Sequence, residues 1–273
     1  MDERKIELKA LWNKVASEYS IVGPGYWNDF GKRLVGLSNI EKGAQVLDVG
    51  TGRGSTLFPA AEAAGYQGQV TGIDIAENMV SIVNYEIVKR KINNAKVISR
   101  DMEEAEFQEG YYSNIISGFC LGGFLRNKEY MSKVLRSLKT GGQLSFSIWG
   151  MGNDQQWLTD IVNQYLPSDA GNGQSTYSNE DLITDMKASL KQLDMKDISI
   201  LDETTTVYYK DENQWWNEMN SNAVRGVLDS IRAIGEKEFS KFQSKVNLYL
   251  GKMKTNDGIG VDMNVIYVTA NKK

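Results

Sequence analysis

Between residues 44 and 150, short apolar runs alternate with segments whose apolar positions recur at helical spacing. A run that is apolar at successive positions indicates a strand buried on both faces, as in a parallel sheet that helices cover on each side. Five such runs begin near Val46, Val70, Lys96, Asn114 and Leu144. The pattern therefore predicts an α/β fold with a doubly wound, mostly parallel sheet.

Helical segments precede this alternating region. Residues 1–40 are predicted to form two helices on either side of the Gly-Pro-Gly turn at residues 23–25, and we expect them to cover a bound ligand as a lid. No internal repeat or low-complexity linker divides the chain, so we treat residues 1–273 as a single domain. Its core is predicted to span residues 41–150, and residues 151–273 hold the remaining strands and helices.

The region after the core has a different pattern. Residues 151–177 are rich in Gly, Asn and Gln. They precede a capped amphipathic helix over residues 178–193 and a strand-like alternation over residues 196–209. Two helix candidates then occupy residues 211–257, which we interpret as an insertion that forms a helical cap over the substrate.

The first apolar run breaks into a loop that carries Gly50, Gly52 and Gly54. Glycine tolerates left-handed backbone angles and lets a ligand approach the main chain, and the helix that follows directs unpaired amides toward the same place. The dinucleotide-binding spacing would put the third small residue at Ser55, but here the third glycine comes one residue early. By itself such a loop is also found in ordinary turns.

A G-x-G-x-G turn after an Asp-bearing strand resembles motif I of class I S-adenosylmethionine (SAM) dependent methyltransferases. In that family the loop cradles the amino-acid part of SAM, so the resemblance implies a Rossmann-like methyltransferase fold with SAM as cofactor. It also implies that the last strand, residues 261–272, is antiparallel. The cofactor contacts that it implies at this loop are Asp48, Gly50, Thr51 and Gly52.

The second strand ends at Asp74, 24 residues beyond Gly50. A carboxylate at this position can accept hydrogen bonds from both ribose hydroxyls of an adenosine, a device that nicotinamide enzymes also use. Asp74 can instead cap the helix that follows, and the two roles can coexist. The resemblance extends the cofactor site to Ile75 and Met79.

Two further strand ends complete the predicted cofactor site. The resemblance assigns Asp101 and Met102 to the adenine, although an acidic solvated loop would show the same residues. It also places Gly118 and Phe119 beneath the sulfonium. The turn LKTGG before the fifth strand is similar to the family's LKPGG turn, with Thr140 in place of proline.

The segment ENQWWNEMNSNAVRGVLDSI resembles the ubiquinone/menaquinone C-methyltransferase-like (methyltransferase type 11/25) branch, in which a tryptophan pair precedes an arginine motif. The likeness is good over residues 10–150 and loose beyond them. Core packing is the alternative role for the aromatic residues and solvated surface for the polar ones. On one helix, Asn220 and Arg225 would lie five residues apart and would both reach a ligand only at its edges. The substrate-binding residues that we infer are Trp27, Trp215, Trp216, Asn220 and Arg225.

Composition excludes several classes of function. The chain of 273 residues has 31 Lys and Arg against 35 Asp and Glu, a net charge of −4, so no bulk field attracts nucleic acid. A single cysteine rules out an internal disulfide framework, and the charged start lacks a secretory apolar region, which favours the cytoplasm. The 15-residue run at 111–125 is too short to span a bilayer. Without a Cys/His cluster, no metal site is expected.

Methyl transfer from a sulfonium is an in-line displacement, in which orientation can supply as much as ~7–11 kcal/mol and a general base about 3–5 kcal/mol. The chain contains no histidine, so positioning must dominate and any base is Asp, Glu, Tyr or Lys. Tyr19 lies at the family's Ala-x-x-Tyr position, and the resemblance also assigns it to the cofactor site. Tyr19 and Tyr26 are the catalytic candidates, while Cys120 is expected to be inert core.

We therefore predict a SAM-dependent methyltransferase that acts on a small-molecule metabolite. Two alternatives remain at this point. The same fold can bind SAM and perform another reaction, with the sulfonium as a fixed positive charge, or the chain can be a nonenzymatic SAM-binding module. The sequence does not choose the acceptor atom, the metabolite or the oligomeric state.

Overall fold

A computed structural model describes residues 3–150, 156–166 and 178–273, and its first five strands fall on the five predicted apolar runs. The strands in chain order are β1 Gln45–Val49, β2 Gln69–Asp74, β3 Ala95–Ser99, β4 Tyr112–Gly118, β5 Leu138–Trp149, β6 Met195–Tyr209, β7 Lys254–Thr255 and β8 Gly258–Lys272. Within the described ranges, eight strands form one sheet in the order β3-β2-β1-β4-β5-β8-β6, with β7 paired to β8.

The direction of the strands agrees with the predicted fold. Strand β1 pairs in parallel with β2 and β4, β2 with β3, and β4 with β5. Strand β8 pairs antiparallel with β5. The prediction of a doubly wound, mostly parallel sheet with an antiparallel last strand is confirmed.

The helices of the described residues are, in chain order, α1 Glu3–Val15, α2 Tyr26–Leu37, α3 Leu57–Ala64, α4 Glu77–Lys89, α5 Lys128–Arg136, α6 Gln156–Val162, α7 Asn179–Gln192, α8 Glu212–Asn220, α9 Val224–Ile234 and α10 Glu236–Lys252. On β1, Val46 packs in an apolar cluster with α3 and α4, while the next residue, Leu47, packs in another with α5 and α7. Successive residues of a strand point to opposite faces, so each cluster fills one face.

Two elements differ from the prediction. The LKTGG segment lies inside β5, because that strand begins at Leu138. The register of its pairing with β4 shifts within this segment. Gly141 takes a φ of 75° there, a backbone angle that glycine adopts at low cost. The insertion forms three helices instead of two, because residues 221–223 separate α8 from α9 and Gly235 separates α9 from α10.

The chain folds into two compact units, which we describe separately. The core unit comprises residues 27–149, 180–203 and 265–273, and the helical unit comprises the described residues of 1–26, 150–179 and 204–264. The single-domain description of residues 1–273, with its lid over residues 1–40, stays a prediction. Of the Gly/Asn/Gln-rich passage, residues 151–155 and 167–177 lie outside the described residues.

Aromatic packing fills the helical unit. Trp157 of α6 stacks on Tyr249 of α10, with ring centroids 5.1 Å apart, and lies 5.9 Å from Trp215 of α8. Trp215 is buried, and a fully buried large apolar side chain contributes roughly 1.5–3 kcal/mol. Among the helices of the described ranges, none has the length and apolar character that crossing a membrane requires.

Candidate active site

The glycine loop lies at the carboxyl end of β1, at the edge of the sheet where β2 and β4 also end. Gly50 has a φ of 70°, and a Cβ on it would come within 2.5 Å of the Cys120 side chain. Only glycine satisfies both constraints at this position. The amides of Gly50 and Thr51 donate to the Ile73 carbonyl over 2.9 and 3.0 Å, which fixes the loop against the end of β2.

Asp48 anchors the loop from below. Its carboxylate is fully buried and accepts hydrogen bonds from the Thr51 hydroxyl over 2.6 Å and from the Thr56 hydroxyl over 2.8 and 2.9 Å. Burial raises the pKa of Asp48 to about 6, although the two hydroxyls oppose this shift. Asp48 therefore sets the loop's shape, and its predicted contact with a ligand stays a prediction.

Asp74 lies at the predicted strand end and holds two segments together. One carboxylate oxygen accepts from the Gly52 amide over 2.8 Å and the other from the Ala76 amide over 2.9 Å. Burial raises its pKa, and the backbone donors lower it. The bond to Ala76, just before α4, resembles the capping alternative, while the bond to Gly52 ties the carboxylate to the glycine loop. The Ile75 amide is a third backbone donor to this carboxylate, and the acceptor capacity that remains can take a further donor.

The third strand end also reaches this edge of the sheet. Asp101 and Met102 follow β3, and Asp101 accepts from the Glu103 amide over 2.9 Å. The sulfur of Met102 lies 3.9 Å from that of Cys120, which follows β4. Burial raises the pKa of Cys120 to about 12, so its thiol stays protonated, as expected of an inert core residue.

An aromatic cluster closes the ends of β4 and β5. Phe119 stacks on Trp149 with centroids 4.3 Å apart and meets Trp27 edge-on at 5.5 Å. Phe30 lies 5.9 Å from Trp149 and 6.0 Å from Phe119. Phe119 has a φ of 58°, which is rare for a bulky residue and indicates that the surroundings hold it in place. We call Trp27, Phe30, Phe119 and Trp149 the aromatic cluster.

Sequence reasoning found Trp27 and Phe119 but missed Phe30 and Trp149. Trp149 is the last residue of β5 and ends at the same sheet edge as the acids, so the strand-end rule applied to the fifth strand would have found it. Phe30 lies three residues after Trp27 on α2, so it is a neighbour on the same helical face. Of the remaining predicted cofactor contacts, Ile75 is partly exposed, Gly118 ends β4, and Met79 is buried on α4.

The catalytic candidates of the helical unit lie in a buried polar cluster that the sequence did not reveal. The Tyr26 hydroxyl donates to Glu218 over 3.0 Å, and Glu218 is fully buried. Burial and the neighbouring Tyr209 and Glu218 raise the pKa of Tyr26 well above its ordinary value. Gly23 leaves room for the carboxylate, since a Cβ there would come 1.7 Å from Glu218 Oε2. Tyr19 packs against the Trp12 ring, 5.4 Å away.

The predicted substrate residues of the insertion divide into two sets. Trp215 is buried and meets Trp216 edge-on at 5.0 Å, as in the core-packing alternative. Asn220 and Arg225 lie on different helices, which corrects the assumption of one continuous helix.

An ionic network joins these two polar residues. Arg225 donates to Asp229 over 2.7 Å, and Arg232 links Asp229 to Asn220 over 2.9 and 2.7 Å. Lys14 donates to the other Asp229 oxygen over 2.7 Å. In the described parts of the chain, no three His, Cys, Asp or Glu side chains are grouped so as to hold a metal ion.

Comparison with known proteins supports the predicted family. The chain is 32% identical over 143 residues to aklanonic acid methyltransferase DauC of Streptomyces sp. strain C5, a match that covers 52% of this chain and 65% of that protein. It is thus similar to less than two thirds of that relative's length. It is also 28% identical over 171 residues to the demethylmenaquinone methyltransferase of Listeria monocytogenes, covering 61% of this chain and 72% of that one.

The fold recurs in solved structures. The YcgJ protein of Bacillus subtilis superposes with a TM-score of 0.59 at 13% identity, over 90% of this chain and 99% of that one. The resemblance to class I SAM-dependent methyltransferases and their menaquinone branch is confirmed. A family model described as a methyltransferase domain matches residues 40–216, more than half of the chain, and the chain belongs to this family.

Proposed function

We propose that the protein is a SAM-dependent methyltransferase that methylates a small-molecule metabolite. The observation that carries this proposal is the junction of Asp74 with the Gly52 amide, which brings a carboxylate onto a glycine loop at the carboxyl edge of the sheet. The relatives, named as methyltransferases of aklanonic acid and of demethylmenaquinone, support a small-molecule acceptor.

The residues at this edge suit the parts of SAM. The glycine loop from Gly50 to Gly54 approaches its neighbours too closely for side chains at Gly50 and Gly54, so the amino-acid part of SAM can come close to its main chain. The Asp74 carboxylate would hold the ribose hydroxyls with its remaining lone pairs. Asp101 and Met102 would border the adenine.

Bound SAM supplies an electrophilic methyl group on a sulfonium. The protein's part is then to hold the acceptor in line with that methyl group and to exclude water. Phe119 and Trp149 of the aromatic cluster are partly exposed at the ends of β4 and β5 and offer an apolar surface that suits both tasks. Such positioning can contribute as much as ~7–11 kcal/mol to lowering the barrier.

Where the acceptor must lose a proton, the proposed base is an Asp, Glu, Tyr or Lys side chain, since the chain contains no histidine. Tyr26 stays a candidate within the helical unit, where its hydroxyl donates to Glu218. Because the pKa of Tyr26 is raised, a free tyrosinate is unfavourable. The cytoplasm is the proposed compartment, since the single cysteine forms no internal disulfide.

The experiment that tests this function is incubation with methyl-labelled SAM and a metabolite extract. We expect label in a small organic product together with an equal amount of S-adenosylhomocysteine. Another reaction on the same fold would consume a metabolite without transferring label. Binding of SAM without any product under these conditions would indicate a nonenzymatic module and would contradict the proposal.

A further inference from the structure

Tyr130 presents a buried hydroxyl that neither the fold nor the proposed mechanism uses. It lies in the first turn of α5, where its amide donates to the Asn127 side chain over 3.0 Å. The side chain is 5% exposed. Within the described residues, the hydroxyl oxygen has no hydrogen-bond partner. A buried polar group left unpaired costs about 1–3 kcal/mol, so a phenylalanine would be more favourable unless the hydroxyl serves a ligand.

Contacts of the helix that carries Tyr130 show which part of the fold lies beside it. The Lys133 ammonium, one turn further along α5, donates to the Glu103 carbonyl over 3.1 Å and so binds the helix to the loop after β3. That loop carries Asp101 and Met102. The contact of 3.9 Å between the sulfurs of Met102 and Cys120 joins the same loop to the end of β4. Tyr130 therefore belongs to the junction of the β3 and β4 ends.

The electrostatics of this junction keep the hydroxyl protonated. Burial raises the pKa of Tyr130, and Cys120, Glu103 and Asp101 raise it further. A protonated phenol is a hydrogen-bond donor that remains neutral. It can therefore donate to an uncharged acceptor, such as an unprotonated ring nitrogen. On one side of Tyr130, the Phe124 ring lies 5.2 Å away and adds an aromatic wall.

We propose that the Tyr130 hydroxyl donates a hydrogen bond to the nitrogen at position 1 of the cofactor's adenine. This inference rests on the proposed function, since it assumes that adenosine occupies the edge formed by Asp74, Asp101 and Met102. It gives Tyr130 a role in selecting the base, because this nitrogen accepts in adenine but carries a hydrogen in hypoxanthine. Tyr130 is thus a specificity residue for the cofactor.

Calorimetric titration with S-adenosylhomocysteine tests the proposal. We expect the Kd of Tyr130→Phe to rise about 3–10-fold, the range of one lost neutral hydrogen bond. The preference for S-adenosylhomocysteine over its inosine analogue should fall in the same variant. The matched control is Tyr112→Phe, which alters another buried tyrosine of the same apolar cluster and should leave the Kd unchanged.

Stability of the free protein separates a ligand contact from a structural role. Tyr130→Phe should unfold at the same temperature as the wild type or higher, because it removes an unpaired buried hydroxyl. Affinity equal to wild type, or affinity lost only together with stability, would overturn the proposal. If the wild type binds no S-adenosylhomocysteine, the proposed function fails and the inference with it. If the wild type binds S-adenosylhomocysteine and Tyr130→Phe binds it with the same Kd, the inference alone fails.

A second measurement needs no variant. In a wild-type crystal with S-adenosylhomocysteine, the Tyr130 oxygen should lie within about 3.2 Å of the adenine nitrogen at position 1. An adenine bound elsewhere, or one whose nitrogen at position 1 faces away from Tyr130, would overturn the inference even if the variant does not fold.

Discussion

The core unit and the helical unit each bury a carboxylate completely, and they stabilise it in different ways. Asp48 of the core unit accepts from two threonine hydroxyls only 3 and 8 residues further along the chain. Glu218 of the helical unit accepts from Tyr26, 192 residues away. The first carboxylate is stabilised by local contacts and the second by a long-range contact.

This difference shows how each unit is held together. The partners of Asp48 lie in the loop and at the helix start that directly follow its strand, so these hydrogen bonds form within one short segment. The Glu218 cluster joins the start of α2 to α8, and Gly23 makes room for it. It forms only after distant parts of the chain have met. Removing either carboxylate tests this contrast.

The largest effect is expected for Asp48→Ala. It leaves the Thr51 and Thr56 hydroxyls buried without their acceptor, and should lower the free energy of unfolding by about 4 kcal/mol. Urea unfolding followed by fluorescence measures this change. Asp48→Asn, which keeps one acceptor oxygen, is the matched control and should lose about half as much. A loss below about 1 kcal/mol for the alanine variant would show that the carboxylate does not hold the loop.

Glu218→Ala should follow, with a loss of about 3 kcal/mol, because it removes an acceptor of the Tyr26 hydroxyl and opens a cavity. Gly23→Ala sharpens the test, since its added Cβ meets the Glu218 carboxylate. In a double-mutant cycle, Gly23→Ala should lower the free energy of unfolding much less in the Glu218→Ala background than in wild type. Additive losses would mean that the two residues do not interact.

The pH dependence of stability separates Asp48 from other carboxylates. Its pKa of about 6 in the folded protein lies above the ordinary 3.8, so the folded state binds its proton more tightly than the unfolded state does. Stability from this group is therefore present below about pH 4 and is lost as the pH rises to about 6. The advantage of wild type over Asp48→Asn should shrink by roughly 2–3 kcal/mol between pH 4 and 7. Parallel curves would contradict the assignment.

The smallest effect is expected from the exposed ionic network. Hydrogen bonds from Lys14 and Arg225 outweigh burial and hold the pKa of Asp229 at about 2. Because these ions are partly exposed and screened, Asp229→Asn should cost only about 1 kcal/mol, and less in 0.5 M salt. If Asp229→Asn lowers the free energy of unfolding by more than about 3 kcal/mol, this network stabilises the unit as much as Glu218 does, which would contradict the prediction. The matched control is Asp262→Asn, in another exposed part of the same unit.

Local patterns made much of the core unit predictable. The apolar runs predicted its strands. Gly50, Asp74 and Asp101 follow or end successive strands, and parallel strands have their carboxyl ends at the same edge, so these residues were predicted to lie together. Chain geometry links these residues directly, so their spacing carries the information.

The helical unit was less predictable because its contacts are long-range. Glu218 reads in the sequence as an ordinary helix-surface acid, and only packing against Tyr26 and Gly23 buries it. The break at residues 221–223 contains neither Gly nor Pro, so the periodic pattern ran through it as one helix. The unpaired hydroxyl of Tyr130 is likewise invisible in sequence, since a tyrosine on an apolar helix face usually finds a partner.

One titration tests the central claim that adenosine binds at the edge of the sheet formed by Gly50, Asp74 and Asp101. Calorimetry should show that the wild type binds S-adenosylhomocysteine and that Asp74→Ala binds it about 5–150-fold more weakly, since a hydrogen bond to a charged group contributes about 1–3 kcal/mol. Unchanged affinity in Asp74→Ala would contradict the claim, as would a wild type that binds NAD in its place.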